Sequence, residues 1–133
     1  MSRDEAPLLE HINDYVYPGY GPYEGYRPDR LLNGGESLQF AELSVEVLRV
    51  PGHSPAHLAY LIDGHLFSGD VLFAGSVGRT DLPGGSWEEL ERSLQRLVDT
   101  LPPETPVHPG HGPETTLAAE LATNPFLQGL VPR

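Results

Sequence analysis

The stretch Val50-Pro-Gly-His-Ser-Pro-Ala-His-Leu-Ala-Tyr-Leu-Ile-Asp-Gly-His-Leu-Phe-Ser-Gly-Asp70 decides the fold of this chain. It places His53 in a tight Pro/Gly loop and continues into two short apolar strands, at about 57–62 and 65–69. The Asp-Gly pair between the strands is a strong hairpin signal, so Asp70 should return close to His53. Loops at strand ends can aim polar groups inward from a rigid frame. The pattern therefore predicts a polar site, suited to a metal ion, at this end of the hairpin.

A second segment, Val-His-Pro-Gly-His-Gly at 107–112, repeats the order of apolar strand, Pro-Gly turn and imidazole. Its last histidine is His111. One histidine after a Pro-Gly turn is more often a turn residue than a ligand, so neither segment decides the function alone. The two together, with Asp70 between them in the chain, favour a metal site.

Four segments together resemble the metallo-β-lactamase superfamily, and within it most closely the hydroxyacylglutathione hydrolase (glyoxalase II) branch. They are Pro-Gly-His-Ser-Pro at 51–55, Phe-Ser-Gly-Asp at 67–70, the glycine-rich loop 74–85 and Pro-Gly-His-Gly at 109–112. The resemblance covers residues 36–130 well and residues 4–35 only loosely. It implies a metal-dependent hydrolase of thioesters or esters.

The resemblance also implies a role for three side chains. His53 matches the third histidine of the family's first metal site, and His111 matches the last histidine of the second. Asp70 matches the carboxylate that bridges both metals, which makes it the expected catalytic residue. A complete domain would hold two zinc ions, with iron or manganese as alternatives. Metal ions held in this way activate a bound water near neutral pH and polarise a carbonyl group.

The family's remaining ligands come from a His-x-His-x-Asp-His motif, which this sequence lacks. The nearest approach is His-Ile-Asn-Asp at 11–14, which has neither the second histidine nor the closing Asp-His. We therefore expect residues 1–133 to form the C-terminal part of a metallo-β-lactamase domain. The expected fold is α/β, a partial αβ/βα sandwich with one sheet layer and helices on one face.

Other side chains are candidates for substrate contacts or for support of the ligands. Tyr20 and Tyr23 lie in the long segment 13–35, rich in Pro, Gly and Tyr, which is either a flap over the site or a loop that covers the sheet. Arg79, in the glycine-rich loop, could contact an anionic substrate or simply pair with Asp81 to hold that loop. His57 is more easily explained as a structural or supporting residue than as a ligand.

Composition limits the classes of partner. The net charge of −11 argues against nucleic acid and against an anionic membrane surface. The absence of cysteine excludes thiolate metal sites and disulfides. No apolar run is long enough for a membrane span, and no signal peptide is recognisable, so we expect a cytoplasmic protein.

Periodicity predicts the remaining elements. Acids and a proline in the first turn favour a helix at 4–12, and alternation predicts strands at 38–41 and 43–50. A Ser-Trp-Glu-Glu capping box predicts a helix from Ser86 to about Leu101. A strand should follow at 105–108, and then a last helix from Pro113 to Ala122.

Three functions are consistent with this sequence. The first is a glyoxalase II-like hydrolase seen as a partial chain, acting on a small thioester or ester. The second is a single-iron oxygenase resembling the persulfide dioxygenases. The third is a non-catalytic half-domain. In each case one face of the sheet should be apolar and exposed, available to an N-terminal half-domain or to self-association.

Overall fold

A computed structural model describes residues 2–4, 31–40 and 42–130. Within these ranges a six-stranded mixed sheet has the order β1-β2-β3-β4-β7-β8, and β5 and β6 form a separate two-stranded ribbon. The elements are β1 Ser37–Phe40, β2 Leu43–Arg49, β3 Leu58–Ile62, β4 His65–Gly69, β5 Leu72–Phe73, β6 Ser76–Val77, α1 Trp87–Thr100, β7 Pro106–Pro109, β8 Thr115–Thr116, α2 Leu117–Thr123 and a 3-10 turn Pro125–Leu127. The predicted α/β class is confirmed.

The hairpin that the sequence predicts is present. β3 and β4 pair antiparallel, with Tyr60 opposite Phe67 and Ile62 opposite His65. The turn residues Asp63 and Gly64 have φ angles of 50° and 77°, the left-handed conformation that an Asp-Gly turn accommodates. β7 then joins β4 as its parallel neighbour, which brings the 109–112 segment beside the end of the hairpin.

Helix α1 covers one face of the sheet. Ser86 is its N-cap and accepts a hydrogen bond from the Glu89 N–H, as the capping box predicts. The buried side chains of α1 form one core cluster with strand residues such as Leu66 and Val107, both fully buried. Truncation of a leucine in such a core costs about 2–5 kcal/mol, so this packing fixes the sheet against the helix.

The last helix begins later than predicted. Thr115 and Thr116 form β8 against Val107 and Pro106, where β-branched residues pack well. Thr116 then serves as N-cap of α2 and accepts a hydrogen bond from the Ala119 N–H. The expectation of a helix from Pro113 was therefore wrong, because β8 and the N-cap precede the first helical residue, Leu117.

The opposite face of the sheet is only partly bare. Five residues on this side form a second buried cluster: Leu32, Leu38, Val45, Val47 and Leu58. Farther along the sheet Phe67 is 40% exposed. The expectation of an exposed apolar face was wrong for the β1–β3 side, because Leu32 and the strand residues there bury one another in this cluster.

Some sequence predictions concern residues outside the described ranges. They include the 4–12 helix beyond Asp4 and the tyrosine-rich segment with Tyr20 and Tyr23. Within the described ranges, no helix has both the length and the apolarity needed to cross a bilayer.

Candidate metal centre

The loop that carries His53 is packed against the start of α1. The Ser86 N–H donates to the Gly52 carbonyl at 2.8 Å, and the Ser93 hydroxyl donates to the Pro51 carbonyl at 2.8 Å. Gly52 has a φ of 141°, and a Cβ there would lie 2.4 Å from the Cα of Leu90. Only glycine fits this approach, which holds the His53 loop rigidly on the helix.

His53 itself is oriented by a backbone carbonyl. Its Nδ1 lies 2.9 Å from the Arg79 carbonyl oxygen. Because a carbonyl can only accept, Nδ1 carries the proton, and Nε2 of the neutral ring keeps its lone pair. Nε2 faces Asp70 Oδ2 at 3.7 Å. Metal-bound histidines are usually held by such a second hydrogen bond from the other ring nitrogen.

Asp70 is fixed through its backbone. Its N–H donates to Nε2 of His57 at 3.2 Å. Gly78 lies so close that a Cβ on it would be 1.9 Å from the Asp70 carbonyl oxygen. His57 is therefore placed to support Asp70, and its Nε2 is already engaged by that N–H.

His111 contacts the Asp70 carboxylate oxygen that does not face His53. Its Nδ1 lies 3.0 Å from Asp70 Oδ1, and the Gly110 N–H donates to the Gly69 carbonyl at 2.8 Å. The His111 side chain is 79% exposed. Phe73 contacts its ring edge-to-face at 6.0 Å. The expectation that His53, Asp70 and His111 converge at one rim of the sheet is confirmed.

The donor set fits the metal that the fold implies, but incompletely. Each Asp70 oxygen faces a different imidazole, the pattern expected of a carboxylate shared by two metal positions. The lone pair of His53 Nε2 and the Asp70 carboxylate face each other across 3.7 Å, an arrangement that a bound metal ion would stabilise. Imidazole nitrogen and carboxylate oxygen are both common metal ligands, so His53 and Asp70 would hold an ion here.

These residues do not complete a metal site by themselves. Across 2–4, 31–40 and 42–130, no three His, Asp or Glu side chains are placed so that they could hold one ion together. His53, Asp70 and His111 do line an open pocket of about 320 Å³ with five further residues: Phe73, Ser76, Val77, Gly78 and Arg79. A larger hollow of about 530 Å³ on α1 is lined mainly by charged residues, with no imidazole among them. The smaller pocket is therefore the candidate site.

Arg79 stands at the pocket with its charge already paired. Its guanidinium donates to both carboxylate oxygens of Asp81 at 2.8 Å. The hydrogen bond from Arg79 lowers the pKa of Asp81 to about 2. Both side chains are exposed, so this pair fixes the local geometry more than it stabilises the fold.

A buried carboxylate that the sequence reasoning missed supports the pocket wall. Glu120 is 3% exposed and accepts hydrogen bonds from the Thr115 hydroxyl, the Gly75 N–H and the Asn124 amide at 2.6, 2.7 and 3.0 Å. Burial would raise the pKa of Glu120, but these three hydrogen bonds hold it below its ordinary value. Asn124 also donates to the Ser76 carbonyl. The network ties the ribbon that carries Phe73 to α2.

The sequence carried one weak signal of this network. Glu120 falls among helix residues and resembles a solvent-exposed acid. Asn124, before Pro125, could have been recognised as the N-cap of the 3-10 turn, where it accepts from the Phe126 N–H.

Comparison with known proteins agrees with this geometry. The model of the metallo-beta-lactamase superfamily matches residues 2–113. A probable metallo-hydrolase of Bacillus subtilis, YqgX, is 47% identical over 103 residues, which cover 76% of this chain and 49% of the relative. Hydroxyacylglutathione hydrolase GloC of Haemophilus influenzae is 38% identical over 107 residues, covering 78% and 50%. The chain thus spans about half the length of these relatives.

Solved structures show the same fold. The B3 metallo-beta-lactamase BLEG-1 superposes with a TM-score of 0.86 at 37% identity, covering 97% of this chain and 64% of the other. TTHA1623 in a di-iron-bound form gives 0.75 at 43% identity, covering 96% and 63%. ETHE1 from Myxococcus xanthus gives 0.70 at 36% identity, covering 74% and 46%. Because the family model matches most of the length of this chain, the chain belongs to the metallo-beta-lactamase superfamily.

Proposed function

We propose that this chain supplies part of the active site of a metal-dependent hydrolase acting on thioesters or esters. One observation carries the proposal: two imidazoles approach the two oxygens of a single carboxylate, at 3.0 and 3.7 Å, on the floor of an open pocket. The relative named hydroxyacylglutathione hydrolase supports the reaction class.

His53, Asp70 and His111 would hold the metal, with Asp70 shared between two positions. When bound, zinc or iron would lower the pKa of a water ligand and polarise the substrate carbonyl. The chain's own contribution is orientation: the Arg79 carbonyl holds His53 with Nε2 unprotonated, and His57 holds the Asp70 backbone. The described residues lack a three-donor group, so we propose that further ligands come from an N-terminal half.

The pocket lining suggests the kind of substrate. Phe73 and Val77 give one apolar wall, and Arg79 is the cation among the lining residues. An acyl group could pack against this wall. An anionic group of the substrate could then replace Asp81 as the partner of the Arg79 guanidinium. A small anionic thioester or ester fits this arrangement. Tyr20 and Tyr23 remain candidates for the remaining side of the pocket.

The second candidate function is a single-iron oxygenase. It is favoured by the resemblance of the sequence to the persulfide dioxygenases, by the similarity to ETHE1 and by the unequal exposure of the two imidazoles. Because His53 is 24% exposed and His111 is 79% exposed, one position at His53 and Asp70 is better enclosed than the other. Metal content separates the candidates: two ions per site with hydrolysis, or one iron with oxygen consumption.

The experiment is reconstitution. The 133-residue chain is purified alone and also co-expressed with a half-domain that carries the His-x-His-x-Asp-His motif, and both are assayed with zinc and a thioester. We expect weak zinc binding and no useful turnover by the chain alone, and recovery of both in the complex.

Two variants control this experiment. Asp70→Ala should abolish turnover in the complex, since it removes the carboxylate that both positions share. Asp63→Asn, in the turn at the other end of the hairpin, should leave turnover unchanged. Zinc-dependent turnover by the chain alone that survives Asp70→Ala would overturn the proposal, and turnover by neither preparation would favour the non-catalytic half-domain.

A further inference from the structure

A row of three polar side chains lies on the face of the sheet opposite α1. His65 of β4 and His108 of β7 are joined through Nδ1 and Nε2 at 2.9 Å. The Nδ1 of His108 lies 3.1 Å from a carboxylate oxygen of Glu114, which immediately precedes β8. The mechanism proposed above uses none of these groups.

The ring geometry shows that the two histidines are hydrogen bonded end to end. Their ring centroids are 5.1 Å apart and their planes differ by 21°, while the two nitrogens are only 2.9 Å apart. The ring centroids are far apart although the two nitrogens are close, so each nitrogen must point at the other ring. With the small angle between the planes, the two rings therefore lie nearly in one plane. Such lone pairs cannot converge on one ion, so the pair is not a chelating site.

The proton positions follow from the partners. The Glu114 carboxylate lies within ion-pair distance of His108 Nδ1, which favours the proton on that nitrogen, and His108 Nε2 then accepts from His65 Nδ1. Phe67 stacks on the His108 ring at 4.8 Å with a 20° tilt. His108 is thus held at both ring nitrogens and covered on one face, and its side chain is 23% exposed.

The row lies at the base of the loop that carries His111. This loop runs from Pro109, the end of β7, to Thr115, the start of β8. On the pocket side it is fixed by Gly110 to Gly69 and by His111 to Asp70. On the other side, Glu114 binds back to β7 through His108, and His108 binds to β4 through His65. The loop is therefore closed at its base by this row.

We propose that His65, His108 and Glu114 form a strut that positions the His111 loop against Asp70. His111 is 79% exposed, so contacts of its loop rather than burial hold it against Asp70. The strut adds one such contact, because it links Glu114 at the end of the loop to β7 and β4. All three are positioning residues. The proposal rests on the proposed function only in the statement that His111 is a ligand; the restraint on the loop is independent of it.

The test is amide hydrogen exchange on the full chain. Glu114→Ala removes the acceptor, Glu114→Gln keeps an amide oxygen for His108 Nδ1, and Glu104→Ala makes the same charge change at the exposed turn before β7. Because the Glu114 side chain is 76% exposed, its ion pair contributes modestly, and in Glu114→Ala we expect the Gly110 amide to exchange about two- to fivefold faster. Glu114→Gln should restore most of the protection, and Glu104→Ala should not change it.

A second set of variants tests the row as a unit. His108→Phe should accelerate exchange at Gly110 as Glu114→Ala does, and the double variant should add little, because both remove the same link. Amides within α1, such as that of Leu94, should keep their exchange rates in every variant. Unchanged exchange at Gly110 in Glu114→Ala, or equal acceleration in α1, would overturn the strut.

Zinc titration then separates the strut from the function. If the strut holds a ligand, Glu114→Ala should weaken zinc binding by a similar factor and Glu114→Gln should not. Faster exchange at Gly110 with no zinc binding by any variant would support the strut and reject the metal role of His111. Equal zinc binding by all variants, together with unchanged exchange at Gly110, would reject the strut and leave the metal role of His111 in place.

Discussion

The loops of His53 and His111 present the same chemical group to Asp70 but are built differently. The His53 loop is packed on α1 through Gly52, and its imidazole is set by the Arg79 carbonyl. The His111 loop projects from the sheet edge, and a Cβ at its Gly112 would meet nothing within 4 Å. The His53 imidazole is therefore positioned by packing against the core, and the His111 imidazole by polar contacts at the rim of the sheet.

The largest effect should come from filling the space at the first loop. Gly52→Ala puts a methyl group 2.4 Å from the Leu90 Cα, so the loop or the helix must move. We expect a loss of about 3 kcal/mol or more in the free energy of unfolding, measured by urea denaturation. Gly112→Ala is the matched control, because its φ of 81° imposes a similar backbone strain without a collision. It should cost only about 1–2 kcal/mol. Equal losses in the two variants would contradict the comparison.

The two imidazoles should also differ as ligands. His53 points a lone pair toward Asp70, whereas the nitrogen that His111 turns toward Asp70 is already hydrogen bonded to it, so that hydrogen bond must break before both groups bind the same ion. We expect His53→Ala to weaken zinc binding by the chain about 10- to 100-fold and His111→Ala by less, measured by competition with a chelating dye. Asp63→Asn should have no effect. A larger loss for His111→Ala would mean that the exposed histidine is the principal ligand.

Sequence reasoning predicted those parts that local chemistry determines. The Asp-Gly turn determined the hairpin, and the Ser86 capping box determined the start of α1. The hairpin, with a strand at 105–108 expected beside it, led to the prediction that His53, Asp70 and His111 meet, and the family resemblance implied their roles as ligands.

The parts that failed depend on contacts between distant residues. The Glu120 network joins α2 to Gly75, 45 residues away in the chain, and no local pattern reveals it. The second cluster, on the face opposite α1, depends on the packing of Leu32, which precedes β1, with side chains of three strands. β8 is two residues long and forms because β7 is beside it, so the alternation that marks longer strands was absent.

A third prediction concerns the wall behind His111. Glu120→Gln places an amide NH₂ where a carboxylate oxygen accepts from Thr115 or Gly75, so one donor faces another. We expect a loss of about 1–3 kcal/mol in unfolding free energy at pH 7, with Glu91→Gln on the exposed side of α1 as control.

The difference in unfolding free energy between the wild type and Glu120→Gln should depend on pH, with a sign set by the pKa of Glu120. Because the folded-state pKa of Glu120 is below its ordinary value of 4.5, its carboxylate stabilises the fold above about that pH. The stabilisation is lost as the pH falls through the folded-state pKa. The difference between wild type and Glu120→Gln should therefore narrow below pH 4.5. A difference that stays constant into acid would show that the charge does not contribute.

The smallest effect should come from Arg79, whose backbone and side chain serve different partners. Its carbonyl accepts from His53 Nδ1, while its guanidinium binds Asp81 at the exposed rim. Arg79→Gln keeps the carbonyl, so the His53 ring should remain in place, with its Nδ1–H resonance preserved in NMR spectra. The pKa of Asp81 should rise from about 2 toward its ordinary 3.8, because the hydrogen bond from Arg79 is the main cause of the shift. Carboxyl carbon NMR measures this pKa directly, and Arg92→Gln on α1 should leave it unchanged. If the pKa of Asp81 stays near 2 in Arg79→Gln, or if the Nδ1–H signal of His53 is lost, then the two halves of Arg79 do not act separately, and the His53 loop depends on the rim as the His111 loop does.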